Sequence, residues 1–295
     1  MPKMQTMGNE HPVYLACDID MTLLAGDWCR EDRPFANGAL QALTAAVKKK
    51  RTMQNHFYFG TASGRTLASH HMEVEMKNPV FRRAVEEMNL LIGSVGAEMA
   101  MRSDDDMVTP VAEWTDSFDR WDRQKVQRIL SELEQSGEVT MQPPMAQSDN
   151  KLSYFVTIPE GRHASYAEHI RKILSDNDVV STVIFSGGKY LDILPRTLSG
   201  TAVDKGAAIQ FGATLLAEQD NLAEEPRVVF AGDSENDESG FAYAIESGGV
   251  AIIPGNAKES FKAKMKHVYL STRLHIARRA FSAGIQEGLA VHDLL

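Results

Sequence analysis

The sequence predicts an α/β protein: a doubly wound parallel sheet that carries an inserted α+β domain. Two acidic clusters, Asp18-Ile19-Asp20-Met21-Thr22 and Gly232-Asp233-Ser234-Glu235-Asn236-Asp237, directly follow the short apolar runs Val13-Tyr14-Leu15-Ala16-Cys17 and Val228-Val229-Phe230-Ala231. Such runs read as strands buried on both faces, as a parallel sheet requires. Strand and helix signals alternate through the first third and again after Asp204, the rhythm of βα units. Between about 100 and 196 the texture changes, and strands such as Lys151-Leu152-Ser153-Tyr154-Phe155-Val156 alternate apolar with polar residues. That alternation suits a sheet with one covered face. The expected division is 1–99 with 197–295 for a catalytic core and 100–196 for the insertion.

In chain order, the strand at 13–17 leads to a helix near 37–50, with Asn37 as its cap and Lys48-Lys49-Lys50-Arg51 at its end. Those cations complement a helix dipole, a plainer reading than a nuclear address. A strand at 56–60, a helix beginning near Arg65 and a strand at 90–93 follow. Asp104-Asp105-Asp106 and Pro143-Pro144 punctuate the insertion, which holds helices around 119–135 and 162–175 and strands at 152–158, 179–185 and 190–194. A helix then runs from Lys205 to about Ala217, capped by Asp204. The strand at 228–231 precedes further βα units and a final helix near 274–289. No internal repeat is evident.

At 295 residues and 43% apolar content, the chain can bury one large core or two ordinary ones. A net charge of −9 argues against nucleic acid or an anionic membrane as the main partner. The two cysteines, Cys17 and Cys29, give no disulfide framework and favour a reducing compartment. The leader Met1 to Pro12 has no apolar signal region, and no apolar run approaches the ~20 residues that cross a bilayer. A cytoplasmic protein is expected.

The chemistry lies at the strand ends. Carboxylates at the carboxyl ends of two strands of an open sheet share the crevice where ligands bind. Bunched acids repel unless a cation lies between them, and oxygen-only ligands suit Mg²⁺. Asp18 is placed as a nucleophile toward phosphorus and Asp20, two residues on, as acid and base. Thr22 can brace their turn. Ser63-Gly64-Arg65, after the second strand, offers a hydroxyl and free N–H groups to an anion. Lys205 opens a helix and places an ammonium near the nucleophile. Asp233 and Asp237 serve the metal, Gly232 lets the backbone turn, and Asn236 can orient a ligand. Each motif alone has a plainer reading: an Asp-rich turn, a serine helix cap, a surface lysine.

Together, in this order and each at a strand end, the four motifs resemble those of the haloacid dehalogenase superfamily of phosphatases. The resemblance spans most of the chain and implies a haloacid-dehalogenase-like core with an inserted α+β cap. It assigns Asp18 as nucleophile, Asp20 as acid–base, and Mg²⁺ to Asp18, the backbone carbonyl of Asp20 and the last motif. A closer similarity is to the sucrose-phosphate phosphatase branch. It rests on Ser94-Val95-Gly96-Ala97-Glu98, Trp121-Asp122-Arg123, Lys151-Leu152-Ser153-Tyr154 and Ile184-Phe185-Ser186-Gly187-Gly188-Lys189 with Leu191-Asp192-Ile193-Leu194-Pro195. The tail, with Ala283-Gly284-Ile285 in a terminal helix, is similar too. Departures are Ser63 for a usual threonine, a longer stretch from Arg196 to Asp204, Glu235 for a small residue, and His292-Asp293 in the tail.

In the cap, Lys151, Ser186, Lys189 and Asp192 are candidates to grip a sugar, because hydroxyls are best held by fixed donors and acceptors. Asp192 alternates with Leu191 and Ile193 and so faces the other side of its strand. Trp121 either stacks on a sugar or packs a cap helix. The expected activity is Mg²⁺-dependent hydrolysis of a sugar phosphate through an aspartyl phosphate, most like sucrose-6-phosphate phosphatase. The alternatives are a phosphatase for trehalose-type, mannosylglycerate-type or hexose phosphates, and a non-catalytic sugar-phosphate-binding protein. Neither the oligomeric state nor a role for Glu235 follows from the sequence.

Overall fold

The computed structural model describes residues 11–26, 29–54, 56–76, 78–103, 105, 107–159 and 162–295. The leader as far as residue 10, and Asp104 and Asp106 of the acidic run, lie outside them. The first part of the chain forms β1 (Val13–Cys17), α1 (Arg33–Met53), β2 (Phe57–Ala62), α2 (Leu67–Met76), α3 (Pro79–Glu86), β3 (Leu90–Gly93), β4 (Glu98–Arg102), β5 (Val108–Pro110) and α4 (Ala112–Asp116). The middle forms α5 (Arg123–Gln135), β6 (Val139–Met141), β7 (Leu152–Val156), α6 (His163–Asp176), β8 (Thr182–Ser186) and β9 (Tyr190–Leu194). The last part forms α7 (Lys205–Gln219), β10 (Arg227–Ala231), α8 (Glu238–Glu246), β11 (Val250–Ile253), α9 (Glu259–Val268), β12 (Leu274–Ile276) and α10 (Phe281–Val291).

The larger sheet has eight strands in the order β12-β11-β10-β1-β2-β3-β4-β5. From β12 to β3 every pairing is parallel, and β4 and β5 add an antiparallel edge. The chain winds outward from β1 through β2 to β3, then returns on the other side through β10, β11 and β12. The β1/β10 junction is therefore the switch point, where a crevice opens at the strands' carboxyl ends. Continuous apolarity places side chains of β1 on both faces. Tyr14 and Ala16 pack with α7 and α8 residues such as Ile209 and Phe241. Val13, Leu15 and Cys17 pack with Leu40 and Leu43 of α1 and Ile285 of α10. Among the described residues, no helix is long and apolar enough to cross a membrane.

The smaller sheet, β6-β7-β9-β8, is antiparallel. One face carries Leu152, Tyr154, Leu191 and Ile193 against Val126 and Leu130 of α5 and Ile170 and Leu174 of α6. Its other face bears Ser153 and Asp192, directly opposite one another in register. The alternation read along the sequence is thus a one-faced core.

Several boundaries differ from expectation. The insertion does not begin at 100, which falls inside β4: both β4 and β5 pair into the larger sheet. The exposed three-residue β5 and the mixed Glu98-Met99-Ala100-Met101-Arg102 are too short and too polar to read as core strands. α1 starts at Arg33 because Pro34 occupies its first turn, where a missing N–H is harmless. Asn37 lies inside that helix and accepts from Asn78 Nδ2 at 3.1 Å. α2 starts at Leu67, two positions after Arg65. The Asp122 side chain caps α5, accepting from Lys125 N at 2.8 Å, so Trp121 precedes the helix. Residues 274–276 are an edge strand, and the last helix starts at Phe281. The basic end of α1 is engaged internally: Arg51 donates to the carbonyls of Phe57 and Glu87, and Lys48 pairs with Glu87.

Candidate active site

The carboxyl end of β1 delivers Asp18, and that of β10 delivers Asp233. α7, whose N-terminus Asp204 caps by accepting from Ala207 N at 2.9 Å, delivers Lys205 beside Asp18. Lys205 is fully buried. Its ammonium donates to Asp18 Oδ1 at 2.9 Å and to Asp237 Oδ1 at 2.5 Å, with Asn236 Oδ1 at 3.5 Å. Asp18, Asp233 and Asp237 each offer an oxygen, and these oxygens lie within 4.8 Å of one another. Two of the three clustered carboxylates thus pair with one ammonium.

Charge and burial set the titration of the cluster. Burial pushes the Asp18 carboxyl up to about 7. Lys205 opposes this, and Asp237 and Asp20 add to it. Asp233 is raised well above the carboxylate range by burial, then by Asp237 and Asp18. Burial alone would lower Lys205, but Asp18 and Asp237 outweigh it and hold the ammonium protonated.

The two aspartates of the last motif are held differently. Asp237 Oδ2 accepts from the backbone N–H groups of Asp233 and Ser234, both at 3.0 Å, so its carboxylate organises the turn that carries Asp233. Asp233 Oδ1 accepts from Thr22 Oγ1 at 3.3 Å. Thr22, expected to brace its own turn, therefore ties the first acidic cluster to the last. Gly232 leaves room for this: a Cβ there would lie 2.5 Å from Asp237 Cγ. Gly232→Ala is expected to destabilise the protein by about 2 kcal/mol, the cost of forcing an atom into a packed site. Urea unfolding reads it, and an unchanged midpoint would mean that Asp237 can move aside freely.

Asp20 differs from its neighbour. Arg65 forks it, Nε to Oδ2 at 2.7 Å and Nη2 to Oδ1 at 2.5 Å. The Asp20 carboxylate is not part of the three-carboxylate cluster, in keeping with an expected metal contact through its backbone carbonyl rather than its side chain. The cause is its position past the strand end, where the guanidinium captures it. Ser63, buried, accepts from Arg65 N at 3.2 Å and faces the same cleft with Gly64.

The cleft has a volume of about 570 Å³ and runs between the two sheets. Asp18, Asp20, Ser63 and Asp233 line its floor, and Lys151, Ser186 and Asp192 line its roof. Lys151 is buried and reaches across, donating to Gly64 O at 2.8 Å and lying 3.8 Å from Asp192. Asp192 accepts from Ser153 Oγ at 2.5 Å. Lys189, the other cap candidate, does not line the cleft: it is exposed, with its ammonium 4.9 Å from the centre of the Tyr190 ring. The hairpin turn throws it outward. Trp121 packs against the cap core and donates to Asp149 O at 2.8 Å.

Sequence reasoning missed Gln142, Tyr190, Asn256 and Lys258, all on the cleft wall. Asn256 lies three residues past β11, in the loop after Pro254 and Gly255, and its side chain donates to Met21 O at 2.6 Å. A search of the whole loop after an apolar strand, rather than of its first residue, could have found it. His70 was missed as well. It is buried beneath the site, and burial, then the charge of Arg65, push it down to about 3, so the ring is neutral.

Comparison with known proteins gives a consistent result. A sequence model described as sucrose-6F-phosphate phosphohydrolase matches residues 11–293. A probable sucrose-phosphatase of Arabidopsis thaliana is 22% identical over 258 residues, which are 87% of this chain and 53% of that protein. The chain therefore spans about half the length of this curated relative. The sucrose-phosphatase of Synechocystis, solved in complex with sucrose and phosphate, superposes with a TM-score of 0.71 at 22% identity, covering 96% of this chain and 99% of that one. The C-terminal domain of the trehalose-6-phosphate phosphatase of C. albicans gives a TM-score of 0.58 at 17% identity, covering 97% and 94%. These structural likenesses establish the fold.

Proposed function

The chain belongs to the sucrose-6F-phosphate phosphohydrolase family, and from that membership we propose that it is a Mg²⁺-dependent phosphomonoesterase acting on a sugar phosphate. Sucrose 6-phosphate is the first substrate to test. The observation that carries the reading is the buried Lys205 ammonium joining Asp18 to Asp237 beneath a cleft roofed by Lys151, Ser186 and Asp192.

The donor set fits Mg²⁺, being all oxygen and carrying more negative charge than Lys205 neutralises. Asp18 and Asp233 would hold the ion, with Asp237 adjoining and the Asp20 backbone carbonyl contributing as the family resemblance implies. Bound there, Mg²⁺ supplies positive charge against the phosphoryl oxygens. The chain's own residues do the rest. An Asp18 carboxylate oxygen attacks phosphorus, and the bond from phosphorus to the sugar oxygen breaks. Asp20 gives its proton to that oxygen. The Arg65 fork fixes the rotation of the Asp20 carboxylate, and each of its oxygens keeps a further lone pair. Asp20 then takes a proton from water, whose oxygen attacks phosphorus and displaces Asp18. Lys205 beneath the cleft and the Ser63 hydroxyl within it neutralise charge on the phosphoryl oxygens, and the roof excludes bulk water. Lys151, Ser186 and Asp192 grip the sugar. The free thiols of Cys17 and Cys29 fit a cytoplasmic setting.

Metal binding has a pH signature with a definite sign. Asp18 and Asp233 have raised carboxyls in the metal-free fold. The stability tied to the Asp18 proton is present below the unfolded value near 4 and is lost as pH rises through about 7, and Asp233 acts in the same direction. Mg²⁺ binds the ionised cluster, so its stabilisation should grow from roughly pH 5 to roughly pH 8, reaching about 5 °C in Tm at saturating metal. Thermal melts with and without Mg²⁺ check this, and a shift that is flat with pH would contradict it.

Phosphate release from a panel of sucrose, trehalose, mannosylglycerate and hexose phosphates tests the substrate. Sucrose 6-phosphate is expected to lead. A lead for another sugar phosphate keeps the chemistry and changes the sugar. Binding without release at any metal concentration would favour a non-catalytic sugar-phosphate-binding protein.

A further inference from the structure

Glu235 lies between the metal-facing Asp233 and the Lys205-bound Asp237, yet its side chain joins neither. It lines the cleft, and its Oε2 accepts from the backbone N–H of Gly187 at 3.4 Å. Gly187 belongs to the short turn between β8 and β9. The contact therefore crosses from the last acidic motif of the larger sheet to the tip of a hairpin in the smaller one.

The turn is built to present that donor. Gly187 and Gly188 have φ of 58° and 71°, a left-handed pair that glycine adopts without strain. A Cβ on Gly187 would lie 3.1 Å from the Tyr190 ring, so the turn is also packed closely against its own strand. The hairpin brings two cleft-lining residues with it, Ser186 before the turn and Tyr190 after it. On the core side, Glu235 is in the single helical turn that Asp237 anchors through Asp233 N and Ser234 N. The carboxylate that meets the hairpin thus stands on the turn that sets Asp233. A separation of 3.4 Å is at the long end for an N–H···O bond.

We propose that Glu235 is a positioning residue: it latches the β8–β9 hairpin onto the acidic turn and so sets Ser186 and Tyr190 over the bound substrate. The inference rests on the phosphatase reading for its kinetic consequence, but not for its structural one. A carboxylate is a stronger acceptor for a backbone N–H than a neutral group. Glutamine keeps an acceptor oxygen of the same reach, and alanine keeps none.

Amide hydrogen exchange on the full chain tests the latch without any substrate. Glu235→Ala should raise exchange of the 184–191 segment by about 10-fold, the worth of one hydrogen bond to a charged group. Exchange at 90–93 should not change, and Glu235→Gln should restore most of the protection at 184–191. Unchanged exchange at 184–191, or an equal rise across both segments, would overturn the latch whatever the activity. In turnover, Glu235→Ala should lower kcat/KM for the sugar phosphate by about 10-fold. Its effect on p-nitrophenyl phosphate, which has no sugar for the hairpin to meet, should be within about 2-fold. Equal losses on both substrates would assign Glu235 to the chemistry and overturn the positioning role. If the wild-type chain hydrolyses neither compound, the phosphatase reading fails, and the exchange result alone decides the latch.

Discussion

Asp18→Asn is expected to lower phosphate release by about 10⁴-fold or more, the loss typical of a deleted nucleophile. The variant should keep the wild-type far-UV circular dichroism. The site also predicts its stability. Asp18 is buried, and burial raises its carboxyl to about 7, so ionising it in the metal-free fold is unfavourable. A neutral amide of the same shape removes that penalty and the repulsion from Asp237. The metal-free variant should therefore melt no lower than wild type above about pH 7, while its response to Mg²⁺ shrinks. Normal turnover by Asp18→Asn would refute the nucleophile assignment. A large fall in metal-free Tm above that pH would refute the electrostatic account of the cluster.

Lys205→Met should be severe in both stability and rate. The ammonium is fully buried and is the link between Asp18 and Asp237. A thioether of similar length fills the space but leaves buried carboxylates without their cation, at a cost of about 3–5 kcal/mol. The sign with pH follows from Asp18 and Asp233, whose raised carboxyls can take up protons when the lysine is lost. The destabilisation should be smaller near pH 5 and larger near pH 8, as those protons leave. Denaturant unfolding at both pH values reads it. Phosphate release should fall by about 10³-fold, as when a preorganised charge facing a developing oxyanion is removed. A stability loss independent of pH would mean that packing, rather than charge, is what Lys205 contributes.

How far the sequence could be read depended on how local the determinant was. The apolar runs at 13–17 and 228–231 fixed β1 and β10, because a strand buried on both faces leaves a continuous signature. The acids that follow them then fell at the switch point by topology alone. Asp204 could be seen as a cap because capping is an interaction within one turn, and the structure has its carboxylate on Ala207 N. Tertiary pairings could not be seen. Thr22 meets Asp233, and Asp20 meets Arg65, across distances in sequence that no periodicity records. The insertion was placed to begin too early because β4 and β5 owe their strand character to pairing on a sheet edge rather than to apolarity. In the roof, the alternation around Asp192 put its side chain opposite Leu191 and Ile193, and it does line the cleft. Lys189, by contrast, belongs to the turn, and turn geometry turns it outward. Glu235 had no sequence rationale because its contact, Gly187 N, is a backbone group on another sheet.

The most direct measurement is phosphate release from sucrose 6-phosphate by the purified chain, with Mg²⁺ and again after the metal is removed with a chelator. The site geometry predicts steady release that requires the metal, returns when Mg²⁺ is restored, and disappears in Asp18→Asn. Release that persists undiminished without any divalent metal, or that survives the loss of Asp18, would contradict it.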